Sequence, residues 1–155
     1  MQSRDEHIFG PILIHPLQGF SPTCCHPCCL QHTQALHKKT GDTVWETVET
    51  GKNHRLYGSW STPVIYQAGD HDEFALSMPG QLKGYDPLSG TELWSCDGLG
   101  PSNYPDTAIG AGVLIGISGF QKSMMAVRMG GRGDITSTHR TVSYTHLTLP
   151  TILLV

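Results

Sequence analysis

The stretch GYDPLSGTELW at residues 84–94 repeats the frame of ALHKKTGDTVW at residues 35–45, and this repeat constrains the fold more than any other feature of the chain. At a gapless offset of 49, Tyr85 falls on Leu36, Ser89 on Thr40, Gly90 on Gly41, Leu93 on Val44 and Trp94 on Trp45. A hydroxyl residue, a glycine, an aliphatic residue and a tryptophan in that order describe one hairpin. The glycine supplies the positive φ of a tight corner, and the residues after it alternate as a half-buried strand does. Asp86 is placed to accept backbone N–H bonds across the turn. His37 stands at that place in the first copy, which predicts a weaker corner there.

A second pair of segments repeats independently. WSTPVI at 60–65 and YPDTAI at 104–109 share an aromatic residue and a closing isoleucine, Ile65 and Ile109, at an offset of 44. Between them Phe74, Leu76 and Met78 alternate with Glu73, Ala75 and Ser77, and Pro79-Gly80 turns the chain into Leu82–Asp86. The predicted order is therefore strands over 63–66, 73–78, 82–86 and 91–96. Four antiparallel strands in a period of about 40 to 50 residues mark one propeller blade. A third unit starts at Tyr104 and runs through GVLIGIS at 112–118 and SMMAVR at 123–128. Its glycine corner is MGGRGD at 129–134, with no Trp after it. Eighteen glycines and ten prolines beside 15% charged residues agree with a turn-rich chain of short elements. The expected fold is all-β: a fragment of a β-propeller, about two four-stranded antiparallel blades plus part of another. A β-sandwich with coincidental Gly–Trp pairs is the alternative.

These residues resemble the repeat of the pyrroloquinoline-quinone-like (PQQ-like) β-propeller family, whose frame is Ala-x-Asp-x-x-Thr-Gly-x-x-x-Trp. Gly84, Asp86, Ser89, Gly90 and Trp94 follow that frame in one copy, and Ala35, Thr40, Gly41 and Trp45 in the other. GSWSTPV at 58–64 is similar to the lead-in of an inner blade strand. In such proteins the Trp packs between neighbouring blades, so the resemblance implies structural rather than catalytic roles for Trp45 and Trp94. It also implies a choice of function. One is a non-catalytic binding or scaffold module with a protein or carbohydrate partner. The other is a quinoprotein dehydrogenase using pyrroloquinoline quinone and calcium to oxidise alcohols or sugars. No residue here can be assigned to bind either group. Family members are commonly periplasmic or at the cell surface.

The two ends read differently from the middle, and the resemblance covers about residues 35–140. Residues 1–33 hold four of the five cysteines and four of the nine histidines and lack the Trp corner, so they are expected to be an atypical Cys/His-containing segment from a mis-called or frame-shifted start. The propeller portion is placed at 34–140. VSYTHLTLPT at 142–151 back-translates in frame to a sequence resembling a transposon-end adapter, so 141–155 is expected to be an adapter-derived tail. A genuine last strand ending in ILLV is the alternative.

Charge and motif narrow the remaining classes. A net charge of −3 and the absence of a basic cluster argue against a nucleic-acid partner. No run approaches the roughly 18 apolar residues that a membrane span needs. Cys25 and Cys28, in CCHPCC at 24–29, have C-x-x-C spacing, but a closed zinc site needs a second pair that His15 and His32 do not supply. They stay weak metal candidates. GDHDE at 69–73 reads as a solvated acidic loop, and Arg132-Gly133-Asp134 as a glycine corner rather than an adhesion tripeptide. Cys96 reads as a buried strand residue.

Overall fold

A computed structural model of the protein describes residues 12–20, 29–49, 58–119 and 122–144, and these are all-β, with no helix among them. Three sheets of three or more strands follow one another along the described residues. The first holds β1 (Ile12–Phe20), β2 (Cys29–His37) and β3 (Thr43–Glu49), paired antiparallel in that order. After β4 (Gly58–Ser59) comes the second sheet, built from β5 (Val64–Ala68), β6 (His71–Met78), β7 (Gln81–Tyr85) and β8 (Glu92–Asp97). After β9 (Ser102–Asn103) comes the third, with β10 (Ala108–Gly110), β11 (Val113–Ile117), β12 (Met124–Arg128) and, beyond β13 (Gly133–Asp134), β14 (Arg140–Tyr144). The four strands expected from the sequence are those of the second sheet, each within a few residues of its expected bounds. The expected segment boundary after residue 33 falls inside β2, and β14 pairs with β12 from Arg140 onward.

The repeat survives at the level of register. In the first sheet Ala35 pairs with Trp45, and a β-bulge follows between Ala35 and Leu36. In the second, Gly84 pairs with Trp94, and the bulge lies between Gly84 and Tyr85. In the third, Ala126 pairs with Val142, with the irregularity between Ala126 and Val127. Val142 therefore occupies the strand position that carries tryptophan in the first two sheets.

Burial explains why β6 is apolar in a way that simple alternation does not predict. Phe74, Leu76 and Met78 pack with Tyr85 against Ile14 and Trp45 of the first sheet. From the other face of the second sheet Ala75, Leu82, Trp94 and Cys96 meet Leu114, Met125 and Val127 of the third. The middle sheet is thus covered on both sides, and every residue from Glu73 to Met78 is buried. Sheets buried on both faces lose the dry-and-wet alternation of a half-exposed strand. The rings of Trp45, Phe74 and Tyr85 form a continuous stack, with centroids 6.1 Å and 5.0 Å apart.

One segment departs from the simple blade plan. The corner between β12 and β14 is a long excursion, in which β13 runs parallel to β8 and pairs Gly133 with Trp94 and Asp134 with Ser95. Ile135 N extends the ladder to Ser95 O, and Asp97 N donates to Thr136 Oγ1. The glycine-rich residues 129–134 do lie between two hairpin strands, as the sequence suggests. Instead of closing a tight turn, they reach back and widen the middle sheet to five strands.

Candidate functional site

The two repeat corners share their hydrogen bonding. Gly90 N donates to Asp86 O and Gly41 N to His37 O, both at 2.8 Å, while Asp86 N meets Thr91 O and His37 N meets Asp42 O. Both glycines have positive φ, 71° at Gly90 and 79° at Gly41. At the second corner Asp86 accepts from Leu88 N and Ser89 Oγ, an Asx-type brace. At the first, the His37 ring stands in for that carboxylate, with Nδ1 3.1 Å from Thr40 Oγ1 and 3.3 Å from Thr40 N. The first corner, expected to be the weaker, keeps the same 2.8 Å backbone bond, and differs in having a ring nitrogen where the second has a carboxylate.

The tryptophans that follow these corners point in different directions. The Trp45 indole N–H donates to Pro87 O of the second corner at 3.0 Å, and its ring covers Gly90, where a Cβ would stand 2.4 Å from the ring carbons. Thr47 Oγ1 adds a bond to Gly90 O. Trp45 and Thr47 therefore link the first sheet to the corner at 87–90 of the second, while the bonds of Thr40 and Gly41 stay within their own corner. Trp94 instead lies over Gly84 of its own sheet, where a Cβ would stand 2.0 Å from the indole nitrogen. Its N–H is shared between Tyr66 Oη and Glu73 Oε2, each 3.0 Å away.

Glu73 corrects the reading of GDHDE as a solvated loop. His71–Glu73 belong to β6, and the Glu73 side chain has no solvent exposure. Its Oε2 accepts from Tyr66 Oη and Trp94 Nε1; its Oε1 lies 2.7 Å from Arg132 Nη1 and 2.9 Å from His71 Nε2. Burial alone would raise this carboxyl's pKa. The donors from Tyr66, Trp94 and His71 and the Arg132 charge outweigh it and hold the group below its usual value. Burial first and the Glu73 bond second push the Tyr66 hydroxyl far up, so it stays a donor. Hydrogen bonds donated to the Asp70 carboxylate first and to Glu73 second raise the His71 pKa. Arg132, read from sequence as part of a glycine corner, is the third sheet's connection to the carboxylate buried in the second. The available signal was an acid in phase with Ala75 and Ser77 on a buried strand. Nothing in the sequence identified its partners.

At the far end of β6 the two strand lead-ins meet. β4 and β9 pair in parallel, Gly58 with Ser102 and Ser59 with Asn103, so the segments repeating at an offset of 44 lie side by side. A chain of hydroxyls runs beneath them: Ser59 to Ser61, Ser61 to Ser77 O, and Ser77 to Thr107. Asn103 Nδ2 donates to Met78 O at 2.7 Å.

Cys25 and Cys28 lie outside the described residues. Cys96 is a free, fully buried thiol whose pKa is raised by burial. Among the described residues no group of three or more His, Cys, Asp or Glu side chains forms a metal-ligand set, and no helix is long and apolar enough to cross a membrane.

No protein-family model matches the chain, and no curated protein matches it by sequence. Among solved structures, it is similar to BamB from Moraxella catarrhalis, a β-propeller, with a TM-score of 0.53 and 18% identity over 83% of this chain. The match covers 37% of the BamB chain, so this protein spans well under half of that structure's length. At this identity the likeness shows the fold: successive antiparallel sheets of a β-propeller.

Proposed function

We propose that the chain is part of a PQQ-like repeat propeller acting as a non-catalytic binding or scaffold module for a protein or carbohydrate partner, with residues 34–140 as its propeller portion. The observation that carries the family reading is the Trp45 indole, which crosses from one repeat corner to Gly90 and Pro87 of the next. That contact gives the tryptophan of the Thr-Gly-x-x-x-Trp frame a task between sheets, which is the role the family resemblance implies. The scaffold reading is supported by the way the conspicuous polar side chains are used. Glu73, Arg132, Asp86 and Ser89 all hold the fold together, and the lead-ins present the half-exposed rings of Trp60 and Tyr104. Because propeller folds host many activities, the choice between scaffold and dehydrogenase rests on a binding experiment.

That experiment is titration of pyrroloquinoline quinone with calcium into this chain and into the whole propeller, followed by cofactor absorbance. The scaffold reading predicts no saturable change in either. Saturable binding to the whole propeller, with bleaching on addition of an alcohol or sugar, would replace it with a dehydrogenase.

A further inference from the structure

The structure assigns a carbohydrate-stacking subsite to the ledge formed by Trp60 and Tyr104, an inference that rests on the binding-module reading and names a partner class for it. These two rings are the aromatic residues of the repeated lead-ins. They are stacked with centroids 4.6 Å apart and an interplanar angle of 7°, yet remain 50% and 44% exposed. Large aromatic rings of a repeat normally find cover, as Trp45, Phe74 and Tyr85 do. A parallel pair held half in solvent is a preformed contact surface.

The mounting is rigid. Trp60 N donates to Asn103 O at 2.8 Å, and Thr62 N donates to Asp106 Oδ1 at 2.6 Å, so each lead-in is bonded to the other on both sides of the rings. Gly119 N donates to Ser102 O, and Gly119 lies so close to Tyr104 that a Cβ there would stand 2.3 Å from its Cδ2. The tyrosine is backed by main chain, and the tryptophan presents the outer ring. Little side-chain entropy remains to be lost when a ligand stacks on such a pair.

The surrounding chemistry selects the ligand. Asp106 is the only charged residue in the two lead-ins, 58–63 and 102–107, and the other polar side chains there are hydroxyls and one amide. Within these two lead-ins a phosphate would meet a carboxylate and no cation, which disfavours a nucleic acid or a phospholipid headgroup. A neutral sugar fits better, because its C–H face packs on an indole while its hydroxyls both donate and accept. Trp60 Nε1 offers a donor and Asp106 Oδ2 an acceptor, each without a hydrogen-bond partner among the described residues. Next to Tyr104 in the chain, the buried Asn103 Oδ1 has no hydrogen-bond partner among the described residues.

The test is titration of cellohexaose into the full chain, read by tryptophan fluorescence and calorimetry. We expect saturable binding with a dissociation constant below about 1 mM. Trp60→Ala should weaken it at least about 10-fold while leaving the urea midpoint nearly unchanged, since the ring is half exposed. Asp106→Asn, which keeps an acceptor for Thr62 N, should weaken it by a smaller factor of about 3. Trp45→Phe, remote from the ledge, should leave affinity unaltered. No binding of cellohexaose at millimolar concentration, equal binding by Trp60→Ala, or preferential binding of a single-stranded oligonucleotide would each overturn the proposal. None of these results would touch the scaffold reading, which stands or falls on the quinone titration.

Discussion

Trp45 and Trp94 occupy the same strand position after the same corner, and they dock in opposite directions. Each pairs across its hairpin with the residue that opens the repeat frame, Ala35 for Trp45 and Gly84 for Trp94. A Cβ at Gly84 would collide with the Trp94 indole at 2.0 Å, so only a glycine lets the ring fold back over its own sheet. Ala35 carries that Cβ, and Trp45 reaches forward to Gly90 and Pro87. Trp45 thus reaches the next corner, whereas Trp94 lies over its own sheet inside the core shared with the third. The second arrangement places an indole donor beside Glu73, whose carboxylate then receives Arg132 from the third sheet. The first and second sheets are joined through a ring and a carbonyl. The second and third are joined through an ion pair and the β13 ladder.

The largest effect expected from this contrast is at Gly84. Gly84→Ala should drive Trp94 off Glu73 and cost about 4 kcal/mol in urea unfolding, because a buried acid loses a donor as the core is overpacked. Ala35→Gly, the reverse change, should cost no more than about 1 kcal/mol. Similar costs at the two positions would break the comparison.

Glu73→Gln should cost about 3 kcal/mol, since a buried amide loses the charge that pairs with the half-exposed Arg132 and turns an N–H toward groups that are themselves donors. The pH dependence sharpens this. Glu73 is held below the ordinary glutamate value of 4.5, so its contribution is fully present above pH 4.5 and is lost as pH falls through the lower folded value. His71 is raised above 6.5, so its contribution is present below pH 6.5 and is lost as pH rises through the folded value. Stability of the wild-type chain should therefore peak between these limits, and in Glu73→Gln the acid limb should flatten. An unchanged acid limb would show that the cluster does not couple the second and third sheets.

At the glycine corners the predicted effects are smaller. Gly41 and Gly90 share a positive φ, but a Cβ at Gly41 meets open space whereas one at Gly90 enters the Trp45 ring. Gly41→Ala should cost about 1 kcal/mol for backbone strain alone, and Gly90→Ala about 2 kcal/mol or more.

Much of this was legible in the sequence, for a definable reason. The corners, the order of strands in the middle sheet and the paired lead-ins follow from local turn chemistry and period-2 patterning, which act over a few residues. The destination of Glu73 was not legible. Its acid lies beside His71 and Asp72, and local composition reads as a wet loop. Burial of both faces of β6 and the return of Arg132 are tertiary facts that no window around residue 73 contains. The β13 excursion was hidden similarly, because a glycine-rich run looks the same in a tight corner and in a parallel strand pairing. For the candidate subsite, the sequence marked Trp60 and Tyr104 as equivalent positions of a repeat, but their stacking required the parallel pairing of β4 with β9.

The central claim is that the first and second repeat units are joined by the Trp45 indole resting on the next glycine corner, and a double-mutant cycle between Trp45→Ala and Gly90→Ala tests it most directly. If the ring lies on Gly90, removing it abolishes the clash. The cost of Gly90→Ala should then fall to that of Gly41→Ala, a coupling of about 1 kcal/mol. Strictly additive losses would place the ring elsewhere and contradict the account.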